Sequence, residues 1–175
     1  MPFAGTSLTR RVGVLAAASL LAASAVVPLA TSATAAPSMT KIVLTQSEPT
    51  IVHEEGQSAT SATGDVTFFE SNLTRAGKSF GTLSGIISTH DVVVQGAARE
   101  TRLRTLVFEL PKGQIVAMGS STYPTGADFV PLQVDKTVVI PIAGGSGLYI
   151  GARGELRTTR NADGTYRQVI LLVRS

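Results

Sequence analysis

The sequence predicts an all-β domain of about eight short strands, arranged as a sandwich or an up-and-down barrel. Three observations carry this reading. Runs rich in Val, Ile, Thr and aromatic residues recur along the chain, and Pro, Gly, Asn and Asp separate them. In Ile142 to Leu156, IAGGSGLYIGARGEL, a glycine cluster runs straight into another strand-like segment. Glycines interrupt a β pattern where a strand bulges, bends sharply or admits a second backbone, as the corner of a barrel requires.

Lys41 to Thr45 reads as the first strand, and Gln46 to Gly64, with Pro49, Gly56 and the SATSAT tract at Ser58 to Thr63, as a surface loop. Asp65 to Ser71 and Phe80 to Thr89 form a hairpin joined by the polar stretch Asn72 to Lys78, and Asp91 to Gln95 extends or follows the second of them. Arg102 to Leu110 and Gln114 to Ser120 flank Pro111-Lys112-Gly113, whose fixed φ and glycine suit a tight turn. Tyr123 to Pro131 reads as a loop, followed by a strand at Lys136 to Ile142. Leu148 to Thr159 and Thr165 to Arg174 form the last hairpin, turned by the Asp-Gly pair in Asn161 to Gly164.

Residues 1–35 read as a signal peptide. Arg10-Arg11 forms the charged region, Val12 to Ala30 the apolar stretch, and Ala33-Thr34-Ala35 the small residues of a cleavage site. A retained anchor is the alternative, but alanine dominance and the cleavage site favour removal, with no stable membrane insertion of the mature protein. The segment Thr9 to Val14 partly resembles a twin-arginine signal, so both Sec and Tat routes stay open and the expected location is extracellular. The expected organisation is one domain over 36–175, with a strand and Ser/Thr-rich loop at 36–63 and the remaining strands at 64–175.

Of 15 Lys and Arg, Arg10 and Arg11 lie in the leader; the other 13 face 12 Asp and Glu, giving a mature net charge of +1. A near-neutral chain with scattered arginines lacks the footprint of a nucleic-acid binder. The absence of cysteine excludes disulfides, thiolate nucleophiles and zinc–thiolate or iron–sulfur sites. Neither His53 nor His90 has metal-ligand spacing, so no metal or other cofactor is expected. The glycine cluster has neither GxGxxG nor GKS/T spacing, and no GxSxG elbow supports a hydrolase.

The segment VVIPIAGGSGLYIGARGEL (Val138 to Leu156) resembles the GGTG…ARG signature of dirigent proteins and the GGAG…GAYG stretch of allene oxide cyclases. GDVTFFESNLTRAGKSFGTLSGI (Gly64 to Ile86) is similar to the FDDPLT…G…QG segment of dirigents and the GDLV…G…G segment of the cyclases. The resemblance spans about Gly64 to Val173 and implies an eight-stranded antiparallel up-and-down β-barrel. It also implies a cofactor-independent cyclase, isomerase or stereochemistry-directing protein, an apolar small molecule in the lumen, and a homo-oligomer, dimer or trimer. The apolar final strand, Val169 to Val173, adds to the last expectation.

In a barrel, lumen and outer residues alternate along each strand. Glu70 falls where the dirigent FDDPLT pattern has its first aspartate and is the first acid candidate, because a carboxyl in an apolar lumen can carry a proton near neutral pH. Glu109, in VFEL, is the second. Ligand-contact candidates are Glu48, which with Gln46 follows the first strand near a polar lumen position of the resembling proteins, Tyr123 at the mouth, and Arg104. An inward Arg104 needs a carboxylate partner, so the outer face is its expected place. Tyr149 and Arg153, in the glycine-rich corner, are expected to pack and brace. Gly119 to Thr122 offers hydroxyls where dirigents carry charged residues, which departs from their chemistry. The rival expectations are a non-catalytic carrier of hydrophobic ligands and a filled barrel used for assembly.

Overall fold

The computed structural model describes residues 38–55, 62–93, 99–124 and 132–174. The expected signal peptide and most of the SATSAT tract lie outside the described residues. Among the described residues nine β segments follow one another: β1 Ser38–Gln46, β2 Thr50–Glu55, β3 Val66–Arg75, β4 Lys78–Val93, β5 Arg99–Leu110, β6 Gly113–Pro124, β7 Thr137–Gly145, β8 Arg153–Arg160 and β9 Tyr166–Arg174. One 3-10 turn, Gly147–Tyr149, precedes β8.

The pairing order is β1-β9-β8-β7-β6-β5-β4-β3-β2, and β1 also pairs with β3 through Thr45 opposite Thr74 and Gln46 opposite Leu73. That contact closes the sheet and excludes a sandwich. Antiparallel β2 runs along the same edge of β3, with Thr50 opposite Glu70 and Ile51 opposite Phe69. Segments β1 and β2 therefore act as one strand broken at residues 47–49, and the barrel is eight-stranded and antiparallel throughout.

Three boundaries differ from the sequence reading for identifiable reasons. Segment β2 lies inside the expected loop, because its ladder to β3 orders a stretch whose sequence shows no clean alternation. The β3–β4 connection needs two residues, not seven: Ala76 and Gly77 have φ of 49° and 76°, the paired left-handed geometry that matches strand twist. Leu148 does not begin a strand, because Gly147 and Gly151, with φ of 61° and 73°, carry the backbone through a short crossing before β8. The expected corner is there, built from the 3-10 turn.

Burial in β5 alternates strictly, with Glu100, Arg102, Arg104, Leu106, Phe108 and Leu110 turned inward. This one strand shows how the lumen is divided. At the end holding the β3–β4, β5–β6 and β7–β8 connections, Leu73, Leu83, Leu106, Phe108 and Ile115 are fully buried and fill the interior. Each such side chain contributes about 1.5–3 kcal/mol through burial. Gly85 sits beneath the Phe69 ring, where a Cβ would collide with it, so this aromatic can lie flat on its neighbouring strand. Tyr149 packs against the core, as expected, whereas Arg153 is exposed.

Candidate functional site

The other half of the lumen is polar. From β5 come Glu100, Arg102 and Arg104, from β1 Gln46, from β6 Ser121 and Tyr123, from β8 Thr158, and from β9 Tyr166 and Gln168, all buried. Its floor is a hydrogen-bonded belt across four strands. Thr158 Oγ1 donates to Gln168 Oε1 (2.7 Å), Gln168 Nε2 to Gln46 Oε1 (2.6 Å), and Gln46 Nε2 to Ser71 Oγ (3.0 Å). Buried amides satisfied by one another in this way hold fixed orientations.

Above the belt, Glu100 and Arg102 form an ion pair from adjacent inward positions of β5. The Arg102 guanidinium also lies over the Tyr123 ring, 4.4 Å from its centroid, within the range of a cation–π contact. Arg104 differs from its neighbour. It is 4% exposed, and its Nε and Nη1 have no hydrogen-bond partner. Among the described residues no carboxylate pairs with it. A buried guanidinium without a counter-charge is costly, and an anionic oxygen placed beside it would recover that cost.

Arg104 lines a cavity of about 30 Å³ together with Gln46, Phe69, Ile87, Tyr123, Leu132 and Tyr166. That volume suits one or two water molecules and not an organic substrate. Leu132, 5% exposed, joins Tyr123 and Tyr166 in a small apolar cluster of its own.

Burial raises the Tyr166 phenol above its ordinary value of 10.0, outweighing the lowering pull of Arg160 and Arg104. The hydroxyl accordingly stays protonated at neutral pH and can donate. Because the folded-state value is raised, this contribution to stability is complete below about pH 10 and is lost as pH rises through the folded value. Thermal melts of the native chain and Tyr166→Phe should therefore converge on going above about pH 10. A constant gap between the two would show that burial does not disfavour the phenolate.

The structure brings two of the five sequence candidates together, Arg104 and Tyr123. Arg104 corrects the expectation of an outer-face arginine: it shares parity with Leu106 and Phe108, which must face the core. Tyr123 is 3% exposed and belongs to β6, so it closes the lumen from within and does not extend from a loop. Glu70, Glu109 and Glu48 are exposed. The premise of a carboxyl in an apolar lumen does not hold for Glu70 or Glu109, because both have outward parity. Glu109 instead accepts from Thr82 Oγ1 and Gln114 Nε2, each at 3.3 Å, on the outer surface. Among the described residues the acidic lumen residue is Glu100, which sequence reasoning passed over. Its signal was the alternation running from Glu100 to Leu110.

No protein-family model matches the sequence, and no curated protein matches it. Solved structures do match. The chain is similar to pyocyanin demethylase with a TM-score of 0.59 at 19% identity, covering 77% of this chain and 98% of that one. It is similar to AbnU, an exo-specific intermolecular Diels-Alderase, at 0.57 and 19%, covering 78% and 99%. With the Diels-Alderase AbmU from Streptomyces koyangensis the values are 0.58 and 13%, covering 82% and 72%. At such identities the likeness is one of architecture, and the chain has the closed β-barrel fold found in these cycloaddition and demethylation enzymes.

Proposed function

We propose that this is an exported allene oxide cyclase/dirigent-like barrel protein that holds an apolar small molecule in the polar half of its lumen. The molecule carries one anionic or strongly polarised oxygen, and the barrel steers its cyclisation or isomerisation without a cofactor. The observation that carries this reading is Arg104, buried with Nε and Nη1 unpartnered beside a cavity walled by Phe69, Ile87, Tyr123 and Tyr166. Apolar and aromatic walls with few convergent polar groups are what a small-molecule site requires.

A guanidinium aimed at a carbonyl or carboxylate oxygen would hold the molecule in one orientation and stabilise charge that builds on that oxygen. The neutral Tyr166 hydroxyl is a second donor. Pericyclic ring closure needs little more than a reactive chain folded into one shape, so preorganisation accounts for most of such an effect. The fold shared with enzymes named as Diels-Alderases supports this class of reaction. Admission of a substrate requires the side chains around Arg104 to rearrange, since a cavity of about 30 Å³ is too small for one.

The small cavity and solid lower half favour a second reading, a non-catalytic carrier or assembly barrel. Self-association as a dimer or trimer belongs to both readings. Its support lies on the outer face of β3 to β6, where Phe68, Ile86, Thr105 and Met118 face one another across four strands. Phe68, Ile86 and Met118 are 36%, 43% and 47% exposed, while Val169 on the final strand is already covered at 5%.

Native mass spectrometry of the protein purified from its own culture, followed by extraction, tests the proposal. The expected result is an oligomer retaining an apolar acid or conjugated carbonyl compound, whose binding shifts the ring signals of Tyr123 and Tyr166 in NMR. A ligand-free barrel whose ring signals do not respond to the culture extract would support the assembly reading instead. A monomer would remove the self-association.

A further inference from the structure

The opposite end of the barrel carries a cleft of about 710 Å³, far larger than the lumen cavity. It lies between the β3–β4 hairpin, the β5–β6 turn and the 147–152 crossing. Its walls include Phe80, Leu148, Tyr149 and Ile150, and the cations Lys41, Arg75 and Lys112 line it as well. No Asp or Glu is among the lining residues.

Leu148 and Ile150 are 72% and 80% exposed, the two most exposed large apolar side chains among the described residues. Loose packing of the crossing does not explain this. Leu148 N–H donates to the Lys112 carbonyl (2.9 Å), Tyr149 N–H to Ser146 (3.0 Å) and Ala152 N–H to Tyr149 (2.9 Å). A backbone tied down in this way holds two apolar side chains at the edge of a concave surface. Arg75 is held against the cleft by its contact with the Phe80 ring, 5.3 Å from the centroid.

We propose that this cleft is a second ligand site, separate from the lumen, for a monomeric anionic amphiphile. An aliphatic chain would lie against Leu148, Tyr149, Ile150 and Phe80, and a carboxylate or phosphate head would pair with Lys41, Arg75 and Lys112. Three cations with no acid in the lining select an anion, and the concave shape fits one chain and not a flat bilayer. The site does not depend on the lumen reading, because none of its lining residues belongs to the polar half.

Calorimetric titration of the purified chain with decanoate, and with decanol as its uncharged counterpart, tests this with each compound kept monomeric. The expected result is one-to-one binding of decanoate, at least about tenfold tighter than decanol. Leu148→Ser with Ile150→Ser should weaken both compounds by about tenfold or more. Lys41→Gln with Lys112→Gln should reduce the preference for decanoate several-fold, Arg75 remaining, and leave decanol unchanged. All four residues are exposed, so these variants fold. Arg104→Met should leave the cleft binding intact. The proposal is overturned if decanoate does not bind, if it binds no better than decanol, if the cleft variants leave its affinity unchanged, or if Arg104→Met abolishes it. It is also overturned if the chain adsorbs to phosphatidylglycerol vesicles while monomeric decanoate shows no binding, which would make this end a membrane contact.

Discussion

Replacing Glu100 with glutamine is expected to destabilise the barrel by about 3–5 kcal/mol, the usual cost of breaking a buried ion pair from one side. Glu100 is fully buried and its Arg102 partner nearly so, so water cannot take over the lost interaction. With the carboxylate gone, Arg102 and Arg104 stand as like charges at alternate residues on one face of one strand. For a domain of this size the loss corresponds to a fall in melting temperature of about 2–4 °C per kcal/mol. The control is the double substitution Glu100→Leu with Arg102→Met, which replaces the pair by apolar side chains. Replacing a buried pair by apolar groups is often neutral, so the double variant should recover most of the stability in urea unfolding. Equal losses in the single and double variants would mean that packing around Glu100, and not charge, sets the effect.

The barrel was legible because its strands are short, its hairpins carry specific turn chemistry, and its glycine cluster interrupts the β pattern where the chain crosses between strands. The Asp-Gly hairpin illustrates this. Asp163 Oδ1 accepts from the Thr165 amide (3.0 Å) and hydroxyl (2.6 Å), and Gly164 takes a φ of 85°. Those are the local interactions for which the residue types were read. The site was less legible, because lumen parity must be known before any polar residue can be placed inside. In β3 the adjacent Phe68 and Phe69 give no parity signal, and Glu70, the first acid candidate, faces out. In β5 the signal existed: Leu106, Phe108 and Leu110 share a parity that carries Arg104, Arg102 and Glu100 inward. It was missed because an inward Arg104 needs a carboxylate partner, and Glu100 lies before the expected start of the strand at Arg102, so the outer face was the expected place for the arginine. Departures from the usual rule that charges stay outside mark functional sites. The hydrogen-bonded belt could not be read at all, since its members are brought together by the register of four strands.

Arg104→Met is expected to move stability and function in opposite directions. Methionine fills much of the same volume without a charge, and it removes a guanidinium whose Nε and Nη1 have no partner in a buried position. Relief from that desolvation, and from the like charge of Arg102, should raise stability by on the order of 1–3 kcal/mol in urea unfolding. Retention of an anionic lumen ligand should fall by about 30-fold or more, because truncating a buried charged contact costs about 2–5 kcal/mol of binding. A residue kept for the fold would behave otherwise: its removal would weaken the barrel and leave ligand retention to follow the folded fraction. The two measurements together separate these roles. A more stable barrel that no longer holds its ligand would show that Arg104 is maintained against the interest of the fold, as an anchor for an anionic ligand.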